Sequence, residues 1–275
     1  MKNLFVRTYT GGIYVALTIG SILISKYTFI VFFAFLLSYT LFEFYRLSRN
    51  GGIKPQVITG IALSLYLFVS FFLYDMKLVG ENIFFGLVPL FMIVPVVELI
   101  SKNKNPVQNI AYTFLGILYV AVPFSVLNFI LTPIELEPER YMPEILIGLF
   151  IMIWANDSGA FLFGSWFGKT KMLERISPRK TWEGAIGGAV IAIILSVILF
   201  SFLDFLSPFH VVVLTILTVI SGTLGDLTES MIKRNFNVKD SGNLMPGHGG
   251  LLDRFDSLLL SAPVYYIYIS IIINS

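Results

Sequence analysis

The chain has 275 residues, 56% of them hydrophobic and 13% charged, with a mean hydropathy of +0.82. Soluble domains carry roughly 25% charged residues, so this composition excludes an ordinary water-soluble globule. There is no cysteine, which removes disulfides and thiolate chemistry, and a net charge of +2 gives no reason to expect a nucleic-acid partner.

A helix that crosses a bilayer needs roughly 20 mainly apolar residues, and it satisfies its backbone polar groups internally. That rule predicts an all-α polytopic integral membrane protein with about nine transmembrane helices. They fall over residues 9–25, 27–45, 56–74, 82–100, 109–131, 144–166, 184–204, 209–231 and 257–273. The first resembles a signal peptide in having Lys2 and Arg7 before an apolar run, but no small-residue cleavage site follows. It is read as a retained helix. Of the nineteen Lys and Arg residues, only Lys26, Lys77 and Arg140 fall outside the loops of one face. The positive-inside rule then places the N-terminus in the cytoplasm and the C-terminus outside, as an odd number of spans requires.

Residues 1–131 hold five plain, Phe-, Leu- and Ile-rich spans joined by short connections. Residues 144–275 hold four more, with long polar cytoplasmic loops at 167–183 and 232–256. The outer stretch 132–143 is an acidic connector carrying Glu135, Glu137 and Glu139. No internal repeat, low-complexity tract or hinge-like linker divides the chain, so one structural unit is expected.

Ionisable residues enter the spans beside the two long loops: Asp157 in the sixth span, Asp226 and Glu229 in the eighth. A charge at mid-membrane costs roughly 2.5–3.5 kcal/mol on insertion scales, so a partner cation, water or metal is expected. Asp226, Glu229 and Lys233 share a helix face at i, i+3 and i+7. An intramembrane ion pair that only aids packing is the alternative, and three acids beside the same loops speak against it.

The second long loop carries Lys233, Arg234, Lys239, Asp240, His248, Gly249, Gly250, Asp253, Arg254 and Asp256. Topology alone accounts for the cations, but not for the acids among them or for a histidine flanked by glycines. Asp226, Asp253 and Asp256 are hard oxygen ligands of the kind Mg²⁺ accepts, and Lys/Arg beside them suit phosphate chemistry. Gly249 and Gly250 let the backbone approach a ligand closely, although a glycine in a loop is more often only a turn. The first long region contributes Asn156, Asp157, Lys169, Ser177, Lys180, Thr181 and Glu183. Ser177-Pro178 can start a turn or helix, and Lys180-Thr181 precede a helix N-terminus, which favours anions. Trp182 reads as an interfacial anchor. No Walker-type loop follows a strand, so a P-loop enzyme is excluded.

From Ser230 to Asp256 the chain closely resembles the signature of the phosphatidate cytidylyltransferases (CDP-diacylglycerol synthases). Ser230-Met231-Ile232-Lys233-Arg234, Lys239-Asp240 and Pro246-Gly247-His248-Gly249-Gly250-Leu251-Leu252-Asp253-Arg254-Phe255-Asp256 fit its spacing throughout. Met245 stands where Leu, Ile or Phe is usual, an apolar exchange. Asn156 to Ala160, Ser177 to Gly184 and Gly225-Asp226-Leu227 look like further blocks of the family. The motif resemblance covers 154–256; the first five spans match only in character.

The resemblance implies an Mg²⁺-dependent attack of the phosphate of phosphatidic acid on the α-phosphorus of CTP, giving CDP-diacylglycerol and pyrophosphate for phospholipid biosynthesis. It implies an active site at the cytoplasmic face of the inner membrane, with membrane lipid as surroundings. Asp226 and Asp253 are expected as metal ligands with Asp256 as a third, and a second cation could share the site. Lys233, Arg234, Lys180, Lys239 and Arg254 are expected on phosphates, and His248 as a binding or orienting group, since an ionised phosphomonoester needs little general-base help. A CTP-dependent polyprenol or phytol kinase and a membrane transporter are the alternatives. The Gly184-x3-Gly188 face suits helix packing within a chain or between two copies, so a homodimer is among the expectations.

Overall fold

The computed structural model describes residues 2–132, 141–202, 206–245 and 249–273. Eight helical stretches among them are long and apolar enough to cross a membrane. They are Lys26–Arg49, Val57–Asp75, Glu81–Ile100, Pro106–Leu131, Pro143–Phe167, Trp182–Phe200, Pro208–Asn235 and Leu252–Ile272; Tyr9–Ile24 is a shorter apolar helix. The chain is therefore an all-α polytopic membrane protein, and each stretch lies within a few residues of a predicted span. The acidic connector and His248 lie outside the described residues.

Two compact units are present. The first comprises Met1–Tyr141 with Asn235–Phe255. Its helices are α1 (Lys2–Ile24), α2 (Lys26–Arg49), α3 (Val57–Asp75), α4 (Leu87–Ile100, after a 3-10 turn at Glu81–Gly86), α5 (Pro106–Gly116) and α6 (Val122–Leu131). Ser25 caps α2 in a capping box with Thr28, fixing where the helix starts. Phe29, Phe33, Leu37 and Phe44 of α2 are then fully buried. Tyr45 is a wedge: its hydroxyl donates to Thr113 O at 2.8 Å, and its ring fills the space a Cβ would need on Gly60 and Gly116. A π-helical turn at Ile117–Ala121 precedes Pro123, whose missing N–H and ring disturb the regular ladder. Glu98 is buried on α4 and accepts amide N–H bonds from Asn109 (2.6 Å), Gln56 (3.0 Å) and Asn103 (3.0 Å), tying α3, α4 and α5 together without a cation.

The second unit comprises Met142–Arg234 with Asp256–Ser275. It holds α7 (Pro143–Phe167), a hairpin of β1 (Lys171–Leu173) and β2 (Ser177–Thr181), α8 (Trp182–Phe200), α9 (Pro208–Asn235) and most of α10 (Leu252–Ile273). Small residues let α7 and α8 come close: a Cβ on Gly188 would meet Asn156 O at 2.6 Å, and one on Gly184 would meet Ala160 O at 2.8 Å. The small-residue face is thus used within the chain, as small-xxx-small stripes are in membranes. Tyr265 of α10 donates its hydroxyl to Ile145 O at 2.8 Å.

Two local expectations need correction. Ser177-Pro178 begins neither a helix nor a turn but β2, paired antiparallel with β1 in the register Lys171↔Thr181 and Leu173↔Ser177. Proline is tolerated there because a two-stranded hairpin offers edge positions that need no N–H donor. The region 232–256 is less loop than predicted, since α9 runs to Asn235 and α10 begins at Leu252. Hydrogen bonding carries these helices past their apolar stretches. Lys233 and Arg234 in the last turn of α9, and Asp253 in the first turn of α10, complement the helix dipoles.

Candidate active site

In the second unit a cavity of about 240 Å³ is lined by Asn156, Asp157, Arg179, Lys180, Thr181, Thr223 and Asp226, with Phe161 and Met172 on its apolar side. Glycine explains how the acids meet. A Cβ on Gly225 would collide with the carbonyl oxygen of Asp256, so only glycine lets α9 approach α10 there. Asp226 follows immediately, and Asp256 lies within electrostatic range of Asp226, Asp157 and Lys180. Lys180 Nζ is 2.5 Å from Asp226 Oδ2, both side chains a little over a quarter exposed.

Lys180 is delivered by the hairpin, and the hairpin is pinned at its base. Thr181 has extended backbone and caps α8, its Oγ1 accepting the Gly184 N–H at 3.2 Å. The Glu183 carboxylate accepts the backbone N–H groups of Lys169 and Thr170, each at 3.1 Å. Trp182 N–H donates to Thr170 O at 2.9 Å, and Trp182 itself is 52% exposed. Arg234 Nε–H reaches Ile176 O at 3.4 Å, so the end of α9 touches the hairpin tip.

Asp256 lies within electrostatic range of Asp157 and Asp226, and these three acids against Lys180 and Arg179 leave one negative charge when all are ionised. That imbalance in a membrane-embedded setting suits a divalent cation. Among the described residues no three Asp, Glu or His side chains gather as a ready metal cage. Mg²⁺ does not require one, because it binds through one or two carboxylates and completes its shell with water and substrate phosphate. The donor chemistry fits the ion.

In the first unit, Asp253 anchors the loop that precedes α10. Its Oδ2 accepts from Ser241 N (3.0 Å), Ser241 Oγ (2.9 Å) and Gly250 N (2.8 Å). Gly249 has φ +87°, and a Cβ there would lie 2.7 Å from Asp253 Oδ2. The Gly250 N–H thus points at a carboxylate of the protein. Asp240 borders a separate cavity of about 160 Å³ with Arg46, Asn50, Ser241 and Asn243.

The remaining predicted residues are placed as follows. Lys233 is buried and pairs with Glu229 one turn earlier on α9. Asn156 is 7% exposed, with its Oδ1 facing Gly188. Lys169 meets Glu183 through its backbone, Ser177 stands on β2, Lys239 is exposed, and Arg254 lies in the first turn of α10. Sequence reading passed over Glu43, a fully buried acid on α2 that contacts the Asp253 loop. The signal was present, since an acid inside an apolar helix had already singled out Asp157 and Asp226.

Comparison with known proteins agrees with the signature. The model of the cytidylyltransferase family matches residues 5–272. A phosphatidate cytidylyltransferase of Bacillus subtilis is 31% identical over 278 residues, covering 98% of this chain and 99% of the relative. One of Staphylococcus epidermidis is 34% identical over 264 residues, 94% of this chain and 96% of the relative. One of Staphylococcus saprophyticus is 37% identical over 166 residues, and that match spans 61% of the relative's length and 60% of this chain. The match of the family model over nearly the whole length, on a chain that gathers Asp157, Lys180, Asp226 and Asp256, establishes that it belongs to the cytidylyltransferase family.

Proposed function

We propose that this chain transfers the cytidylyl group of CTP to phosphatidic acid at the cytoplasmic face of the inner membrane, forming CDP-diacylglycerol and releasing pyrophosphate. The observation that carries this reading is the Lys180–Asp226 pair on a cavity shared with Asp157, in a family member built of membrane helices. A lipid phosphate oxygen bonds to the α-phosphorus of CTP, and the bond from that phosphorus to the β-phosphate bridging oxygen breaks. Electron density leaves with pyrophosphate, and no proton has to be taken from the attacking group.

The two substrates repel each other, so the work of the site is charge compensation in a pocket of low dielectric. Lys180 and Arg179, carried on the pinned hairpin, supply fixed positive charge. Asp226 and Asp256 would hold Mg²⁺, and Asp157 would accept from a water of its shell or pair with a lysine; Asp253 is assigned to the metal on the signature alone. When bound, the ion shields the triphosphate and polarises the α-phosphoryl group. The hairpin's mixture of Arg179, Lys180, Met172 and the neighbouring Phe161 suits a substrate that is anionic at one end and apolar at the other.

The test is purified protein in detergent with phosphatidic acid, Mg²⁺ and CTP labelled at either the α- or the γ-phosphate. The reading predicts organic-extractable label from α-labelled CTP only. With a polyprenol supplied in place of phosphatidic acid, lipid label from γ-labelled CTP would instead establish a lipid kinase.

A further inference from the structure

We propose that Glu43, on α2, is a positioning residue for Asp253, acting through Ser241 and the N-terminus of α10; this rests on the reading of Asp253 as a metal ligand given above. Glu43 is 1% exposed within a helix whose other buried positions are largely apolar. Packing alone would be served by leucine, and a buried carboxylate is expensive unless its oxygens are occupied. Its Oε2 accepts the Leu252 N–H at 2.8 Å, at the first residue of α10, where a negative charge also meets the positive end of the helix dipole.

Ser241 is the link. Its hydroxyl lies 3.3 Å from Glu43 Oε2 and 2.9 Å from Asp253 Oδ2, so one donor stands between two carboxylates. The backbone is fitted around the acid as well. A Cβ on Gly242 would overlap the Glu43 carboxylate, and one on Gly250 would overlap both Ser241 Oγ and Glu43. Gly242 and Gly250 are therefore shaped to Glu43, and Gly250 is also the residue whose N–H holds Asp253. Among the described residues Glu43 Oε1 has no hydrogen-bond partner, and Glu43 lies within electrostatic range of Asp253. A buried carboxylate beside the half-buried Asp253 raises the local affinity for a cation and keeps Asp253 in one orientation. Partners that orient metal ligands are typically worth 10–100-fold in metal affinity.

The experiment uses the full-length protein in detergent and Mn²⁺ alone as probe, with binding followed by electron paramagnetic resonance. Glu43→Gln keeps an acceptor for Leu252 N–H but removes the charge. Ser241→Ala keeps the Glu43 charge and the Ser241 N–H bond to Asp253, and removes only the hydroxyl that joins the two carboxylates. Both are expected to weaken Mn²⁺ binding about 10–100-fold and to raise the Mg²⁺ concentration needed for half-maximal turnover, with kcat at saturating Mg²⁺ falling much less. Thermal unfolding of Ser241→Ala is expected to stay close to wild type, so that variant reports even if Glu43→Gln folds poorly. Unchanged Mn²⁺ affinity in Ser241→Ala would overturn the proposal and leave Glu43 a purely architectural acid. If wild-type and Asp253→Asn proteins bound Mn²⁺ alike, the assignment of Asp253 to the metal would fall, and this inference with it.

Discussion

Replacing Lys180 by methionine separates catalysis from stability more sharply than any other single change. Methionine keeps most of the stem that lines the cavity and removes the charge 2.5 Å from Asp226 Oδ2. Two unit charges 4 Å apart attract by about 4 kcal/mol at an effective dielectric near 20. Here both side chains keep more than a quarter of their exposure, and exposed pairs contribute only about 0–1 kcal/mol to folding. The fold should therefore lose little, because Thr181 capping and the Glu183 bonds to Lys169 and Thr170 still hold the hairpin. Catalysis should lose far more. Removing one preorganised group that faces developing charge costs about 10²–10³ in kcat, or roughly 3–4 kcal/mol. The assay is incorporation of α-labelled CTP into lipid beside a thermal unfolding curve in the same detergent. Near wild-type turnover would refute the assignment of Lys180. A loss of activity matched by loss of folded protein would show that Lys180 is structural.

Three further outcomes are expected. Asp226→Asn should abolish turnover while the extracted protein stays folded, EDTA should do the same to wild type, and raised Mg²⁺ should rescue the variant at most weakly; full activity in EDTA would remove the metal from the mechanism. Gly250→Ala should destabilise the protein by about 1–3 kcal/mol, because the new methyl meets Ser241 Oγ and the Glu43 carboxylate in a filled space, and unfolding temperatures would show it. Glu183→Ala should free the two N–H groups at 169 and 170, loosen the hairpin and raise the KM for CTP more than it lowers kcat, which steady-state kinetics would resolve.

How much of this was legible in the sequence follows from which physical signals are local. Span positions were legible because about 20 apolar residues leave an unmistakable run, and α3 and α7 start and end within a residue or two of prediction. Helix ends beside polar loops were not. Lys233, Arg234 and Asp253 are polar enough to read as loop, yet they extend helices whose dipoles favour them. The hairpin was missed for a related reason, since five residues containing a proline carry no strand periodicity, and only pairing with Lys171–Leu173 makes them a strand. The acids Asp157 and Asp226 were found because charge inside an apolar span is anomalous in itself, and Asp256 because acids among the loop's cations are not explained by topology. What the sequence could not say is which cation each acid meets. Lys180 reaches Asp226 from 46 positions earlier, whereas Lys233, on the same helix face as Asp226, is taken by Glu229. Glu43 and Ser241 are 198 positions apart, and nothing local to either predicts that they meet beside Asp253.

The central claim is most directly tested by the product balance of a single reaction: phosphatidic acid, Mg²⁺, CTP and the purified protein, with lipid-bound cytidylyl groups and free pyrophosphate counted together. The account predicts one pyrophosphate for each cytidylyl group found in lipid, and neither product when phosphatidic acid is left out. CDP in place of pyrophosphate, in a parallel reaction given a polyprenol, would contradict it in favour of phosphoryl transfer to a lipid alcohol, and a protein that consumes no CTP would be no nucleotidyltransferase at all.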